Sequence, residues 1–203
     1  MIRGVFLNKR NRFPILPLVV LIVGSILVVA VFFVSFSPAL FQVEPVETIQ
    51  EAKELAEQYL TRYQGLEVEE IMEFTNNYYV IVKEGATANA AFELLVDRYT
   101  GRVTPEPGPN MMWNTKYGHH GRLGEPTTVM PVNEESAIMI AQEWLNRNTP
   151  GYRVMETAVF YGYYTMDFGE RGEIFGMFSV SGYSGDVWYH SWHGDFISME
   201  EYS

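Results

Sequence analysis

The hydrophobic and polar positions of this 203-residue chain fall into distinct regimes. From Phe13 to Val43 there is no charged residue, and Leu18 to Val34 is almost entirely branched aliphatic or Phe. About 20 apolar residues, rising about 1.5 Å each, span a bilayer as a helix. The stretch therefore predicts one transmembrane helix over 13–37, entered at Pro14 and Pro17, where a missing N–H costs least. Further on the pattern becomes periodic. Ala52, Leu55, Ala56, Tyr59 and Leu60 recur at helical spacing, and so do Ala137, Ile140, Ala141, Trp144 and Leu145. Thr48 with Glu51 reads as a capping box, and Asn133 followed by Glu134 and Glu135 reads as a second helix start. After Gly65, and again after Pro150-Gly151, the spacing gives way to runs rich in β-branched and aromatic residues, among them YYVIV, FELLV and IFGMFSV.

These periodic stretches repeat one another. AKELAEQYL (Ala52 to Leu60) matches AIMIAQEWL (Ala137 to Leu145) at a separation of 85 residues, and Tyr78-Tyr79 matches Tyr163-Tyr164 at the same separation. VDRYTGRV (Val96 to Val103) matches VSGYSGDV (Val180 to Val187) at 84, both reading V-x-x-Y-[TS]-G-x-V with turn chemistry at the [TS]-G pair. The expected fold class is α+β: one N-terminal transmembrane helix followed by two repeated units, each a helix packed on a small antiparallel sheet. The expected segments are a basic cytoplasmic tail 1–12, the membrane helix 13–37, a linker 38–45, repeat one 46–105, a connector 106–131 and repeat two 132–203. A unit of roughly 60 residues buries a marginal core alone, so the repeats are expected to pack on one another.

A helix with spaced alanines, followed by strands ending in V-D-x-x-T-G-x-V, resembles the PepSY domain. Ala52, Ala56 and Val96 to Val103 carry the likeness, and the second copy departs from it at Ser181, where the first has Asp97. The likeness covers about residues 46–105 and 132–190. It implies a non-enzymatic domain of the membrane's outer face that binds a protein or peptide partner and restrains a peptidase.

Charge orients the chain. Arg3, Lys9, Arg10 and Arg12 precede the apolar run and no acid does, which predicts a cytoplasmic N-terminus. The expectation is a single-pass protein of the cell membrane, held in lipid through 13–37, with its C-terminal part extracytoplasmic. The remaining ten Lys and Arg face all 25 Asp and Glu, which argues against a nucleic-acid partner. The absence of cysteine excludes disulfides and thiolate ligands. Neither H-E-x-x-H nor Gly-x-Ser-x-Gly occurs, and no spacing among Asp167, Glu170, Glu173 and Asp186 selects an acid–base pair. No enzyme and no cofactor are expected.

All four histidines lie in two aromatic segments. NMMWNTKYGHHG (110–121) holds Met111, Met112, His119 and His120, and WYHSWHGDF (188–196) holds His190 and His193. Each segment follows the same point of the repeat, so the two can meet between the units. Imidazole and thioether donors together suit copper, and these six residues are the candidate metal ligands. The alternative is packing: Trp113, Tyr117, Trp188 and Trp192 form an aromatic surface or repeat interface, with the histidines simply hydrogen-bonded beside them. The function expected is a non-enzymatic extracytoplasmic module that binds a protein or peptide, with metal binding, copper above all, as the alternative.

Overall fold

The computed structural model describes residues 44–87, 89–119 and 129–202. The expected tail 1–12, the expected membrane helix 13–37, most of the linker and His120 lie outside the described residues.

Helix α1 (Ile49–Leu60) begins where Thr48 Oγ1 accepts the Glu51 N–H and the Glu51 carboxylate accepts the Thr48 N–H. Strands β1 (Leu66–Phe74), β2 (Asn77–Glu84), β3 (Ala90–Asp97) and β4 (Val103–Pro105) follow as a meander. One helical turn, α2 (Pro109–Met112), leads out of it. Helix α3 (Glu134–Asn148) is capped by Asn133, whose Oδ1 accepts the Ser136 N–H at 2.9 Å. The second meander is β5 (Arg153–Phe160), β6 (Tyr163–Glu170), β7 (Glu173–Ser181) and β8 (Val187–Tyr189), and the chain closes with β9 (Phe196–Glu201).

The strands form two antiparallel sheets, ordered β4-β3-β2-β1-β9 and β5-β6-β7-β8. Helix α1 lays the fully buried Ala52 and Ala56 against Ile71, Tyr78, Val80 and Leu94 of the first sheet. Helix α3 does the same with Ala137 and Ala141 against Tyr164, Met166, Phe168 and Phe178 of the second. Alanines at the contact let helix and sheet approach closely. The opposite faces of the two sheets pack on one another through Met72, Phe74, Tyr79, Ile81, Phe160, Tyr163 and Met177. Because both faces of β2 are covered, its inner run is apolar throughout instead of alternating.

This architecture corrects the expected α+β fold class. The described chain is mostly antiparallel sheet, and among the described residues no helix is long and apolar enough to cross a membrane. Nor does each sheet belong to one repeat: β9, from the C-terminal end, pairs with β1 and completes the first sheet. Strand β1 would otherwise present an open row of N–H and C=O groups, and the segment that covers it lies beyond the last repeated residue.

The repeated V-x-x-Y-[TS]-G-x-V motif is a turn. Asp97 Oδ1 accepts the N–H groups of Tyr99 and Thr100, and Ser181 Oγ accepts those of Tyr183 and Ser184. Gly101 and Gly185 then take φ of 63° and 73°, a region that L side chains avoid. The departure of Ser181 from Asp97 therefore leaves the turn chemistry intact. The tyrosine pairing at 85 residues, by contrast, is one residue out. Tyr78 and Tyr164 both face a helix, and their hydroxyls donate to the carbonyls of Val46 and Val132. Their separation is 86, and a slip of one residue moves a strand side chain to the other face.

Candidate metal centre

Between the sheets, polar residues replace the apolar core at one end. Glu106 follows β4, where its N–H donates to the Glu93 carbonyl at 3.0 Å, and His190 follows β8, where its N–H donates to the Met177 carbonyl at 3.0 Å. The two occupy equivalent places in the two meanders. His193 arrives on a loop strapped to the β1–β2 hairpin: its carbonyl accepts the Asn76 N–H, and the Asp195 carbonyl accepts the Thr75 N–H. The Trp192 carbonyl accepts from the side-chain amides of Asn76 and Asn77. Gly194, at φ 84°, lets the loop lie on the hairpin, since a Cβ there would stand 2.1 Å from Thr75 Oγ1.

The geometry brings Glu106, His190 and His193 together, with their ligand atoms within 4.8 Å of one another and all three residues buried. Glu106 Oε1 lies 3.3 Å from His190 Nδ1 and 3.1 Å from His193 Nε2. Neither contact has hydrogen-bond geometry: among the described residues, the buried His190 Nδ1, His193 Nε2 and Glu106 Oε2 have no hydrogen-bond partner. Among the described residues the one N–H aimed at the carboxylate is Trp192 Nε1, 3.2 Å from Oε1.

The outer nitrogens explain why. Asn77 uses its amide N–H on the Trp192 carbonyl, so Asn77 Oδ1, 2.8 Å from His193 Nδ1, requires a proton on that nitrogen. The neutral ring then turns the Nε2 lone pair to the centre. On the other side Thr165 donates to Glu93, leaving Ser179 to donate to Thr165 at 2.9 Å and accept from His190 Nε2 at 2.9 Å. His190 likewise turns its Nδ1 lone pair inward. Hydrogen-bonded outer nitrogens that set the tautomer are how proteins orient metal-ligating histidines.

Rings hold this set in place. Phe74 stacks under His193 with centroids 4.6 Å apart, and Trp192 stacks on His190 at 4.8 Å. Burial opposes ionisation of Glu106, and positive charge at His190 and His193 outweighs it and holds the carboxyl well below the usual carboxylate range; with both lone pairs turned inward, a bound cation has to supply that charge. Burial pushes the His193 pKa down against the pull of Glu106. Glu93 is the opposite case: burial and then the Glu106 charge push it far above the ordinary range, despite hydroxyls donated by Thr165, Tyr79 and Tyr163.

The donor set fits a metal ion. Two donors bound at 2.0–2.2 Å around a tetrahedral ion sit about 3.3–3.6 Å apart, close to the 3.1 and 3.3 Å seen here. A carboxylate using both oxygens with two imidazoles supplies four donor atoms.

Of the six ligands expected from the sequence, the structure gathers His190 and His193. Met111 is half-buried and Met112 is 48% exposed. Met111 and the exposed His119 instead border a separate cavity of about 100 Å³ with Tyr59, Tyr63, Phe92 and Tyr117. The aromatic residues also divide. Trp192 belongs to the centre, Trp113 and Trp188 meet edge to face at 6.3 Å, and the Tyr117 hydroxyl donates to Glu84. Glu106 was missed. Its signal was its position 84 residues before His190, the separation that relates the two turn motifs.

No family model matches the chain, and no curated protein does. Among solved structures, the Bacillus megaterium YpeB C-terminal domain aligns at 12% identity over 71% of this chain, with a TM-score of 0.27. The alignment spans 62% of that structure's length, and at that score the likeness carries no argument.

Proposed function

We propose that this chain is a non-enzymatic metal-binding module, holding one divalent transition ion between its sheets through Glu106, His190 and His193. One observation carries the reading: three buried acceptors converge, and none of the three orphaned atoms has a donor among the described residues. Acceptors so placed repel unless a proton or a cation lies between them, and a buried unsatisfied polar atom costs about 1–3 kcal/mol. Nitrogen and carboxylate donors suit zinc and its first-row neighbours. The thioether argument for copper falls away, because Met111 and Met112 lie elsewhere. With its ligands all but closed to solvent, the centre has the character of a structural ion. It would tie the end of the first meander to the end of the second. The protein or peptide partner implied by the PepSY likeness draws its support from a different surface, the open cleft between the sheets.

The test is metal content by mass spectrometry, together with titration of the metal-free full chain by Co²⁺, whose visible bands report nitrogen and oxygen ligation. The expected result is one ion per chain. Binding is lost in His190→Ala and His193→Ala, and weakened roughly 10–100-fold in Ser179→Ala and Asn77→Ala, which release the ring orientation. It is unchanged in His119→Ala and Met111→Leu. A folded chain that takes up no ion, or one that keeps its ion without His190 and His193, would sink the reading.

A further inference from the structure

Further along the intersheet space the sheets part into a cleft of about 640 Å³, walled by β1 and β2 on one side and β5 and β6 on the other. That volume is in the range of small-ligand sites, about 300–1,000 Å³. Its apolar wall includes Met72, Ile81, Val159 and Met177, while Glu69, Glu70, Glu156, Asp167 and Glu201 line the rest. Against five carboxylates the lining holds one cation among the described residues, Lys83, whose ammonium is turned to the Tyr202 carbonyl at 3.4 Å.

The carboxylates are not spread evenly. Glu70 and Glu201 are direct partners across the β1–β9 pair, and like charges directly opposite in a sheet repel. Glu156 joins them from the irregular stretch of β5, placed there by its own N–H donating to Asp167 Oδ1 at 3.0 Å. Oxygens of Glu70, Glu156 and Glu201 lie within 4.8 Å of one another. Glu70 is 8% exposed and its Oε1 has no hydrogen-bond partner among the described residues. A buried, unpartnered carboxylate facing two others is a site short of positive charge.

We infer that this cleft binds an aliphatic cation, the alkylammonium of a lysine side chain or of a free amine. Its charge sits at Glu70, Glu156 and Glu201, and its carbon chain lies along Met72, Ile81, Val159 and Met177. The cavity decides between this and a bare metal ion, which needs an oxygen cage and has no use for an apolar wall. Long cations lay their methylene stems on apolar surface and keep the charged head on polar groups. Burial, followed by the charges of Asp167, Glu156, Glu201 and Glu69, pushes Glu70 up to about 8, which a bound ammonium would reverse.

The test is calorimetric titration of the full chain with cadaverine, with an Ala-Lys-Ala peptide, with neutral 1-pentanol and with calcium chloride. The expected result is one cadaverine or one peptide per chain, with binding weakened by added salt and lowered at least tenfold by Glu70→Gln. Binding of both probes points to free amines, and binding of the peptide alone points to a protein partner. Glu201→Gln, at the exposed end, carries the same test should Glu70→Gln fail to fold. Binding of neither amine probe, binding unchanged in both variants, 1-pentanol binding as tightly as the amines, or binding of calcium in place of the amines would overturn the inference. It stands apart from the metal centre: Co²⁺ uptake that persists while the amines fail to bind removes this inference alone.

Discussion

Two buried glutamates lie between the same two sheets, and their surroundings are opposites. At the closed end Glu106 faces two imidazoles, and positive charge there, on the rings or on a cation between them, holds its carboxyl far below the usual range although burial opposes this. At the open end Glu70 faces Glu156, Glu201 and Asp167, and burial with those charges lifts it to about 8. Glu84 is a third case. Burial raises it, but the Lys116 ammonium and the hydroxyls of Tyr117, Thr87 and Tyr161 outweigh that and bring it to about 2. All three residues are buried, with Glu70 and Glu84 each 8% exposed and Glu106 at 0%. Burial acts the same way on each, so the difference comes from the neighbours, and the neighbours decide which ligand each end can take.

The comparison breaks or sharpens at four points. The largest effect is expected from Phe74→Ala, which removes the ring under His193 and a fully buried core side chain. It should cost about 3–5 kcal/mol in chemical denaturation and weaken metal uptake. Next, an ion present at a thousandfold excess over its dissociation constant stabilises by about 4 kcal/mol. For a chain of this size that raises the melting temperature by roughly 8–16 °C. The rise should vanish in the His190→Ala, His193→Ala double variant, and its absence in the wild type would erase the distinction between the two ends.

The third point concerns pH. Because the Glu70 pKa rises from 4.5 to about 8, the native state keeps a proton that the unfolded chain releases. Stability from this group is fully present below about pH 4.5 and is lost as pH rises through 8. Glu70→Gln should flatten that decline, a difference of roughly 1–3 kcal/mol between variant and wild type at the alkaline end. A decline that persists in the variant would show that Glu70 is not its source. Glu84 has the reverse sign. Its depressed pKa gives stability present above about 4.5 and lost as pH falls toward 2. Lys116→Met should remove roughly 1–2 kcal/mol of it at pH 7, read as a smaller acid-side slope in thermal melts.

Parts of this site were legible in the sequence. His190 and His193 stand out as a His-x-x-His pair among aromatics, and imidazole names its own chemistry wherever it stands. Glu106 did not stand out, because a single acid among 25 Asp and Glu has no signature of its own. The acids of the cleft were hidden for the same reason. Glu70 and Glu201 become a pair only through the β1–β9 register, and β9 repeats nothing earlier in the chain.

What the sequence determined by itself was local. The alanine-lined helix faces, the capping at Thr48 and Asn133, and the Asp97 and Ser181 turns depend on residues within a few positions of one another, and side-chain spacing encodes such contacts directly. The tertiary structure alone decided that, among the described residues, the two sheets share one face-to-face core and that β9 crosses over to complete the first of them. It decided which tyrosine of each pair faces a helix, a choice that turns on a one-residue register. It also decided that residues 84 and 87 positions apart, Glu106 with His190 and His193, share one buried point. Contacts at that range are made by the packing of whole sheets, and no spacing along the chain carries them.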